Sequence, residues 1–437
     1  MQLTAPPRVL SARRPLALGS SRGLGPAMNP VTIFTDPKAY TDPQRWHAIA
    51  ARLRCEEPVP RIEVDGFDPF WAVTRHADII EIERQSERFP NTIEPVLMPK
   101  AMKPSQGGPP VPVKTLIHMD GEEHRAYRNL TNDWFKPAAL KKTLQPRIEQ
   151  LAKKYVDRMA QLGGACDFAM DVARFYPLQV IMSVLGVPES DELRMLDLTQ
   201  KIFGADDPEL GVGSDPQQRL AVLMDFVSYF QRMTADRRAR PGDDLASVIA
   251  NGRIDGAPLP DLQSMGYYII VATAGHDTTS STLAGGLEAL ALHPEQLRAL
   301  QRDPAGIDNA VEEMIRWVTP VRSFLRYAQE DYELRGRRIA KGDALLMSYL
   351  SANRDEEVFS DPFAFDAARE NASSHLAFGT GVHFCLGANL ARMELRTFFR
   401  TLLPRLEWIE LAEPAEYTAA TFVGAPKHVR IRYRLRA

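Results

Sequence analysis

Apolar residues return at three- and four-residue intervals along most of this chain, the period that places them on one face of a helix. That spacing predicts helices over 76–88, 121–135, 138–161, 171–185, 218–239, 261–292, 295–302, 307–317 and 387–403. The segment 261–292 differs from the rest. From Tyr267 to Ala274 it is apolar nearly all round, which predicts a helix buried at the centre of the fold. Strand-like alternation is confined to 62–73, around Gly66, and to 332–347, around Gly336 and Gly342, and predicts a small sheet with glycine turns. The predicted class is mainly α with small β-sheets. Residues 93–115, rich in Pro, Gly, Met and Val, show no period; they read as an irregular apolar loop, either a lid over a buried site or a plain surface loop.

Composition narrows the function classes. With 437 residues, 44% hydrophobic, the chain can bury a large core, and after about residue 30 no linker or repeat divides it. We expect one large helical domain over 29–437, preceded by a leader at 1–28 that is disordered or lies upstream of a true start at Met28. The first 35 residues hold no Asp or Glu, a bias shared with organelle transit peptides. A net charge of −3 without a basic tract argues against nucleic-acid binding. The longest apolar run is too short to cross a bilayer, so no membrane anchor is expected. Cys55, Cys166 and Cys385 are too widely spaced for a disulfide framework or a CxxC zinc pair, which favours a reducing cytoplasm.

Cys385 has unusual neighbours. Gly379 and Gly381 precede it, Gly387 follows, and a helix with Leu390, Met393, Leu395 and Phe398 begins at once. The cysteine thus stands where a helix presents unpaired N–H groups and a positive dipole end, which favour a thiolate. Phe378 and Phe384 would shield its sulfur from water. His375, His383 and Cys385 are also zinc-ligand types, although their spacing is unlike the usual pairs and no fourth ligand is evident.

Three further patterns carry chemistry. In the middle of the apolar helix stand Asp277 and Thr278, an acid beside a hydroxyl that is costly to bury unless solvated or used. Gly275, with Thr278 able to bond back to the preceding turn, predicts a local distortion there. Glu313 and Arg316 stand three apart on 307–317 and can meet on one face. Asp120, His124 and Arg128 form one helical stripe.

The phrase Phe378-x-x-Gly-x-His-x-Cys385-x-Gly387 resembles the haem-binding signature of the cytochrome P450 family, and the other patterns follow in that family's order from about residue 35 onward. Segments 272–281, 316–326, 351–359 and 421–427 are similar to its bacterial α-terpineol-hydroxylating branch; the first and third are also similar to sterol side-chain hydroxylases. The resemblance implies the cytochrome P450 fold, with haem b buried between the oxygen-binding helix and the cysteine-loop helix. It implies Cys385 as axial iron ligand, Asp277 and Thr278 as a proton relay, and Phe378, Gly379, Gly387 and Ala274 against the haem. It further implies His124, Arg128, Arg326 and His375 as propionate partners with His383 nearby, and Arg369 joining Glu313 and Arg316 in a structural charge network. Ile270, Thr273, Ala274, Val321, Phe422 and Val423 become candidates for the substrate pocket.

The implied function is hydroxylation of a small hydrophobic molecule, a monoterpenoid or alkyl-aromatic, by a monomer using O2. Its electrons would come from a [2Fe–2S] ferredoxin with an NAD(P)H-dependent reductase, docking near Arg125, Arg392 and Arg396. A steroid side-chain hydroxylase is the alternative substrate reading. A haem protein that binds ligands or carries electrons without oxygenating is the alternative class, disfavoured by the intact Asp277 and Thr278; a peroxide-driven enzyme is disfavoured for the same reason.

Overall fold

The computed structural model describes residues 31–103, 114–203, 207–210 and 215–436. The leader expected at 1–28 and residues 104–113 of the predicted loop lie outside the described residues.

Helices dominate, as the spacing predicts, with instructive breaks. The segment read as 138–161 is two helices, Pro137–Thr143 and Gln145–Gln161, parted at Leu144. The long apolar segment is also two, Asp261–Ala274 and Asp277–Leu292, because the helical hydrogen-bond ladder is interrupted at Gly275 and His276. A wider turn over Ala169–Ala173 precedes the helix Tyr176–Leu185. Periodicity missed the helices Pro43–Glu56, Glu192–Phe203 and Leu245–Ala250. Two of them are started by acids: Asp42 accepts from Arg45 N at 3.1 Å and Asp244 from Ser247 N at 2.8 Å.

The main sheet has four strands in the order Arg61–Ile62, Phe70–Val73, Ala344–Ser348, Ser323–Tyr327. Its two faces serve different cores, as strand alternation requires. Ala72 and Leu346 pack with Trp46 and Phe34, whereas Val73, Leu345 and Met347 pack with Ile79 and Tyr349. The stretch 332–347 divides between a hairpin, Tyr332–Leu334 with Arg337–Ile339, and the central strand of this sheet. A second sheet, which alternation did not reveal, joins Leu406–Leu411, Arg430–Leu435 and Ala165–Asp167.

The described part of the 93–103 loop is tied down. Pro95 O accepts from Leu325 N and Gly66 O from Lys100 N, both at 2.8 Å, so this stretch extends the edge of the sheet. The largest core lies among the helices. Within it, Ile307–Val318 packs against both Asp277–Leu292 and Ala388–Leu402, and the last two touch each other. Two of these helices carry the charge pair and the acid–hydroxyl pair, and the cysteine stands just before the third. Among the described residues no helix is long and apolar enough to cross a membrane.

Candidate active site

The cysteine loop is built on two glycines in the left-handed region, Gly379 (φ 64°) and Gly381 (φ 67°). Gly381 is also pressed against the chain, since a Cβ there would meet Glu83 O at 2.4 Å, whereas a Cβ on Gly387 would meet nothing within 4 Å. Close backbone packing thus explains the second glycine, and Gly387 leaves open space beside the sulfur. Cys385 N donates to Phe378 O at 2.9 Å, closing the loop just before the helix Ala388–Leu402.

Cys385 keeps its side chain accessible at a point enclosed by protein. Burial pushes its thiol pKa up, against the N–H groups of Gly387 and Ala388 aimed at the sulfur and the nearby charges of Arg128 and Arg392. The arrangement suits a thiolate that acquires a positive partner. Phe378 and Phe384 flank the loop with ring centroids 6.2 Å apart, and the Arg392 guanidinium lies 4.6 Å from the Phe378 ring centroid.

The helix Gly121–Asn132 docks on this loop. Arg128 Nη2 donates to Phe384 O at 2.6 Å, and the His124 and His383 rings meet at a tilt of 40° with centroids 4.2 Å apart. His383 Nε2 meets Asp120 Oδ1 at 2.9 Å, while Asn91 N and Thr92 N donate to Asp120 Oδ2 at 2.8 Å each. Burial opposes ionisation of Asp120, but His383 and the two amides hold its pKa below the usual carboxylate range. Burial next to His383 and Arg128 lowers the His124 pKa to about 4. Tyr267 joins this helix to the split one, its hydroxyl 2.5 Å from Thr131 Oγ1 and donating to Tyr127 O at 3.2 Å.

Haem, an iron porphyrin with two carboxylate arms, fits these residues. Arg128 has no carboxylate partner among the described residues, and His375 Nε2 is buried without a hydrogen bond, its nearest acid, Glu312, being 3.4 Å away. His375 Nδ1 accepts from Ala377 N at 3.2 Å, so Nε2 is the protonated nitrogen. Arg326 departs from the expected set of four. Its guanidinium pairs with Glu83, which also accepts from Tyr349 Oη at 2.5 Å and Thr380 N at 2.9 Å. Glu83, a helix residue with no motif around it, is thus the buried acid beneath the loop that sequence reasoning overlooked.

On the split helix, Thr278 Oγ1 donates back to Ala274 O at 2.8 Å, and Ala274 is exposed although its helical neighbours are buried. Asp277 Oδ2 is buried and unpartnered. Gly275 answers a packing demand, because a Cβ there would lie 2.7 Å from Ile181 Cγ1. His276 is fully buried, with Nε2 2.7 Å from Arg174 O and Nδ1 3.0 Å from Thr199 Oγ1.

Glu313, Arg316 and Arg369 meet in one buried network. Arg316 donates to both Glu313 oxygens at 2.6 and 2.7 Å, and Arg369 Nε lies 3.1 and 3.2 Å from the same two.

The candidate pocket residues differ in exposure. Thr273 is 3% exposed and its hydroxyl donates to Ile269 O at 2.7 Å, while Ile270 is half-buried. Val321 and the buried Val423 form a β-bridge, and Phe422 lies beside them, with its ring 5.2 Å from Phe324. The expected cationic face is altered by an acid. Arg392 and Arg396 both bind Glu312, at 2.8 and 2.9 Å, which neutralises much of their charge; Arg125 is exposed. The zinc reading finds no cluster of three or more potential ligands among the described residues.

Comparison with known proteins places this geometry. A family model described as "Cytochrome P450" matches residues 307–429. The chain is 42% identical to "Cytochrome P450-terp" from a Pseudomonas species, over 91% of this chain and 95% of that protein. It is 35% identical to "Steroid C26-monooxygenase" from Rhodococcus jostii, over 92% and 84%. The crystal structure of CYP108D1 from Novosphingobium aromaticivorans superposes with a TM-score of 0.86 at 38% identity, covering 93% of this chain and 98% of that one.

Proposed function

This chain belongs to the cytochrome P450 family of haem b monooxygenases, and from that premise we propose that Cys385 would hold the haem iron through its sulfur and that Asp277 and Thr278 pass protons at the break in their helix. One observation carries the ligand assignment. Of the three cysteines, Cys385 alone receives two main-chain N–H groups on its sulfur at the start of a helix, beside two arginines. Cys166, by contrast, has its pKa pushed up to about 12 by burial. Haem, when bound, supplies the redox chemistry that no side chain offers.

The protein's own parts do the rest. Gly387 and Ala388 hold negative charge on sulfur, and His124, Arg128 and His375 offer donors to the propionates. Arg326 joins them only by sharing its guanidinium with Glu83. Asp277 places a carboxyl group at the helix break where it can pass a proton, and Thr278, whose own proton is given to Ala274 O, accepts from a donor on its other side. The test is the spectrum of the reduced protein under carbon monoxide: a strongly red-shifted Soret band supports the thiolate, and a globin-like band overturns it.

A Thr278→Ala variant is expected to keep haem and substrate binding while product falls about 10²-fold, the usual scale of a lost proton-transfer group. The electrons should appear as hydrogen peroxide. Full coupling in the variant would refute the relay.

For substrate we favour a monoterpenoid alcohol or small alkyl-aromatic, supported by the higher identity to the terp protein (42%) than to the steroid hydroxylase (35%). Titration with α-terpineol should convert the haem from low to high spin at micromolar concentration, with steroids giving little change. A shift produced by steroids alone would favour the C26-type reading. We assign the electron donor to a [2Fe–2S] ferredoxin; Arg125 is the exposed cation left to steer it.

A further inference from the structure

We infer that His276 is a positioning residue for Asp277 and Thr278, fixing the helix break and linking it through Thr199 to the helix Glu192–Phe203; the inference rests on the relay proposed above. A fully buried imidazole must satisfy both nitrogens. Nε2 lies 2.7 Å from Arg174 O, which can only accept, so Nε2 carries a proton. Nδ1 lies 3.0 Å from Thr199 Oγ1 and 3.5 Å from Asp277 Oδ1.

Thr199 has one hydroxyl proton and two acceptors for it, Nδ1 and Leu196 O at 3.0 Å. With a neutral ring the hydroxyl turns to Nδ1. With a doubly protonated ring, Nδ1–H donates to Thr199, the hydroxyl proton passes to Leu196 O, and the cation faces Asp277. Both states leave the ring in the same place, held from Arg174 on one side and Thr199 on the other. The ring is therefore a fixed peg driven into the break.

The main chain at His276 (φ −95°, ψ −71°) stays in the right-handed region but its N–H bonds three residues back, to Thr273 O at 3.4 Å, which interrupts the helical ladder, and Asp277 follows directly. Asp277 keeps a buried carboxylate oxygen without a partner. Left free, such a side chain turns toward any donor within reach. Gly275 cannot prevent this, since its contact with Ile181 only makes room. The restraint comes from His276, whose ring is held by Arg174 O and Thr199 Oγ1 directly before Asp277 and whose carbonyl accepts from Ser280 N at 3.0 Å to restart the helix. Thr199 sits on a helix that carries none of the proposed catalytic groups, so a shift of that helix can reach the acid through this hydroxyl.

The experiment uses the haem-loaded protein with a [2Fe–2S] ferredoxin, its reductase and α-terpineol as probe. His276→Phe, which fills the volume without either hydrogen bond, should keep the carbon monoxide spectrum and the α-terpineol spin shift. Peroxide released per NAD(P)H consumed should rise about tenfold. Thr199→Val should give a smaller rise, and His276→Gln, which can still donate to Arg174 O and accept from Thr199, should restore most of the coupling. A role in general stability alone would instead lower spin shift and coupling together, without rescue by glutamine.

Nitrogen-15 NMR of the reduced, carbon-monoxide-bound wild-type protein gives a readout that needs no turnover and no variant. His276 should show a protonated Nε2. A ring protonated on Nδ1 alone, or wild-type coupling in His276→Phe, overturns the inference. If Thr278→Ala uncouples and His276→Phe does not, this inference fails and the relay stands. If Thr278→Ala is fully coupled, the relay itself has failed.

Discussion

A Cys385→Ser variant should fold almost as well as the parent and have no monooxygenase activity. A serine hydroxyl does not ionise near neutral pH, so the N–H groups of Gly387 and Ala388 and the charge of Arg128 would act on a neutral oxygen. The red-shifted Soret band under carbon monoxide should vanish, and haem should be retained weakly or lost. Stability should change little, because the loop is closed by main-chain bonds that serine keeps, among them Cys385 N to Phe378 O. Substitution at an accessible side chain of this kind shifts stability by about 0.5 kcal/mol or less. Cys55→Ser and Cys166→Ser are the controls. A variant at either of those positions that lost the band, with Cys385→Ser retaining it, would move the ligand elsewhere.

That site was legible because its chemistry is written in contiguous residues. The cysteine loop, the Asp277–Thr278 pair and Glu313 with Arg316 each fit within about three helical turns, where spacing alone decides what meets. What stayed hidden depends on partners far along the chain. Arg326 reads as a cation awaiting a ligand until Glu83, distant in sequence, is placed beside it. Arg392 and Arg396 read as a free docking face until the packing of Ile307–Val318 brings Glu312 between them. His276 looks like a spacer between Gly275 and Asp277 until Arg174 and Thr199 close on its two nitrogens.

The errors in the fold have a similar origin. The break at Gly275–His276 was foreshadowed by the glycine, yet the apolar residues on both sides keep one period, so the pattern reads as a continuous helix. The strand Arg430–Leu435 alternates Arg with Ile, Tyr and Leu, but its pairing to Ala165–Asp167 across most of the chain is a tertiary fact. Pro43–Glu56 is polar enough that its capping Asp42 and first-turn proline signal the helix better than its hydrophobic face does.

Glu313→Gln should have the largest effect on stability. The carboxylate is fully buried and is shared by two guanidiniums, Arg316 at 0% and Arg369 at 6% exposure, so it offsets one of their two charges. Their remaining donors are already committed to carbonyls: Arg316 to Asn353 O and Pro362 O at 2.7 and 3.1 Å, Arg369 to Ser360 O and Asp361 O at 2.6 and 3.1 Å. Glutamine keeps the shape and one acceptor but removes the charge, leaving two buried cations against main-chain dipoles. Breaking a buried pair in this way costs about 3–5 kcal/mol, enough to consume much of a domain's stability. The expected result is a sharp fall in folded, haem-loaded protein and a lower urea midpoint, with any surviving protein keeping its Soret position because Cys385 is untouched. Arg316→Met combined with Glu313→Gln should lose less than the two single changes added together, since the double variant removes one of the orphaned charges. The exposed pair Arg52–Glu56, at 66% and 64% side-chain exposure, provides the contrast; its removal should change stability by less than about 0.5 kcal/mol. A Glu313→Gln protein within about 1 kcal/mol of the parent would show that the carbonyls alone hold the arginines, and the helix Ile307–Val318 would then owe its place between the acid–hydroxyl helix and the cysteine helix to apolar packing instead of charge.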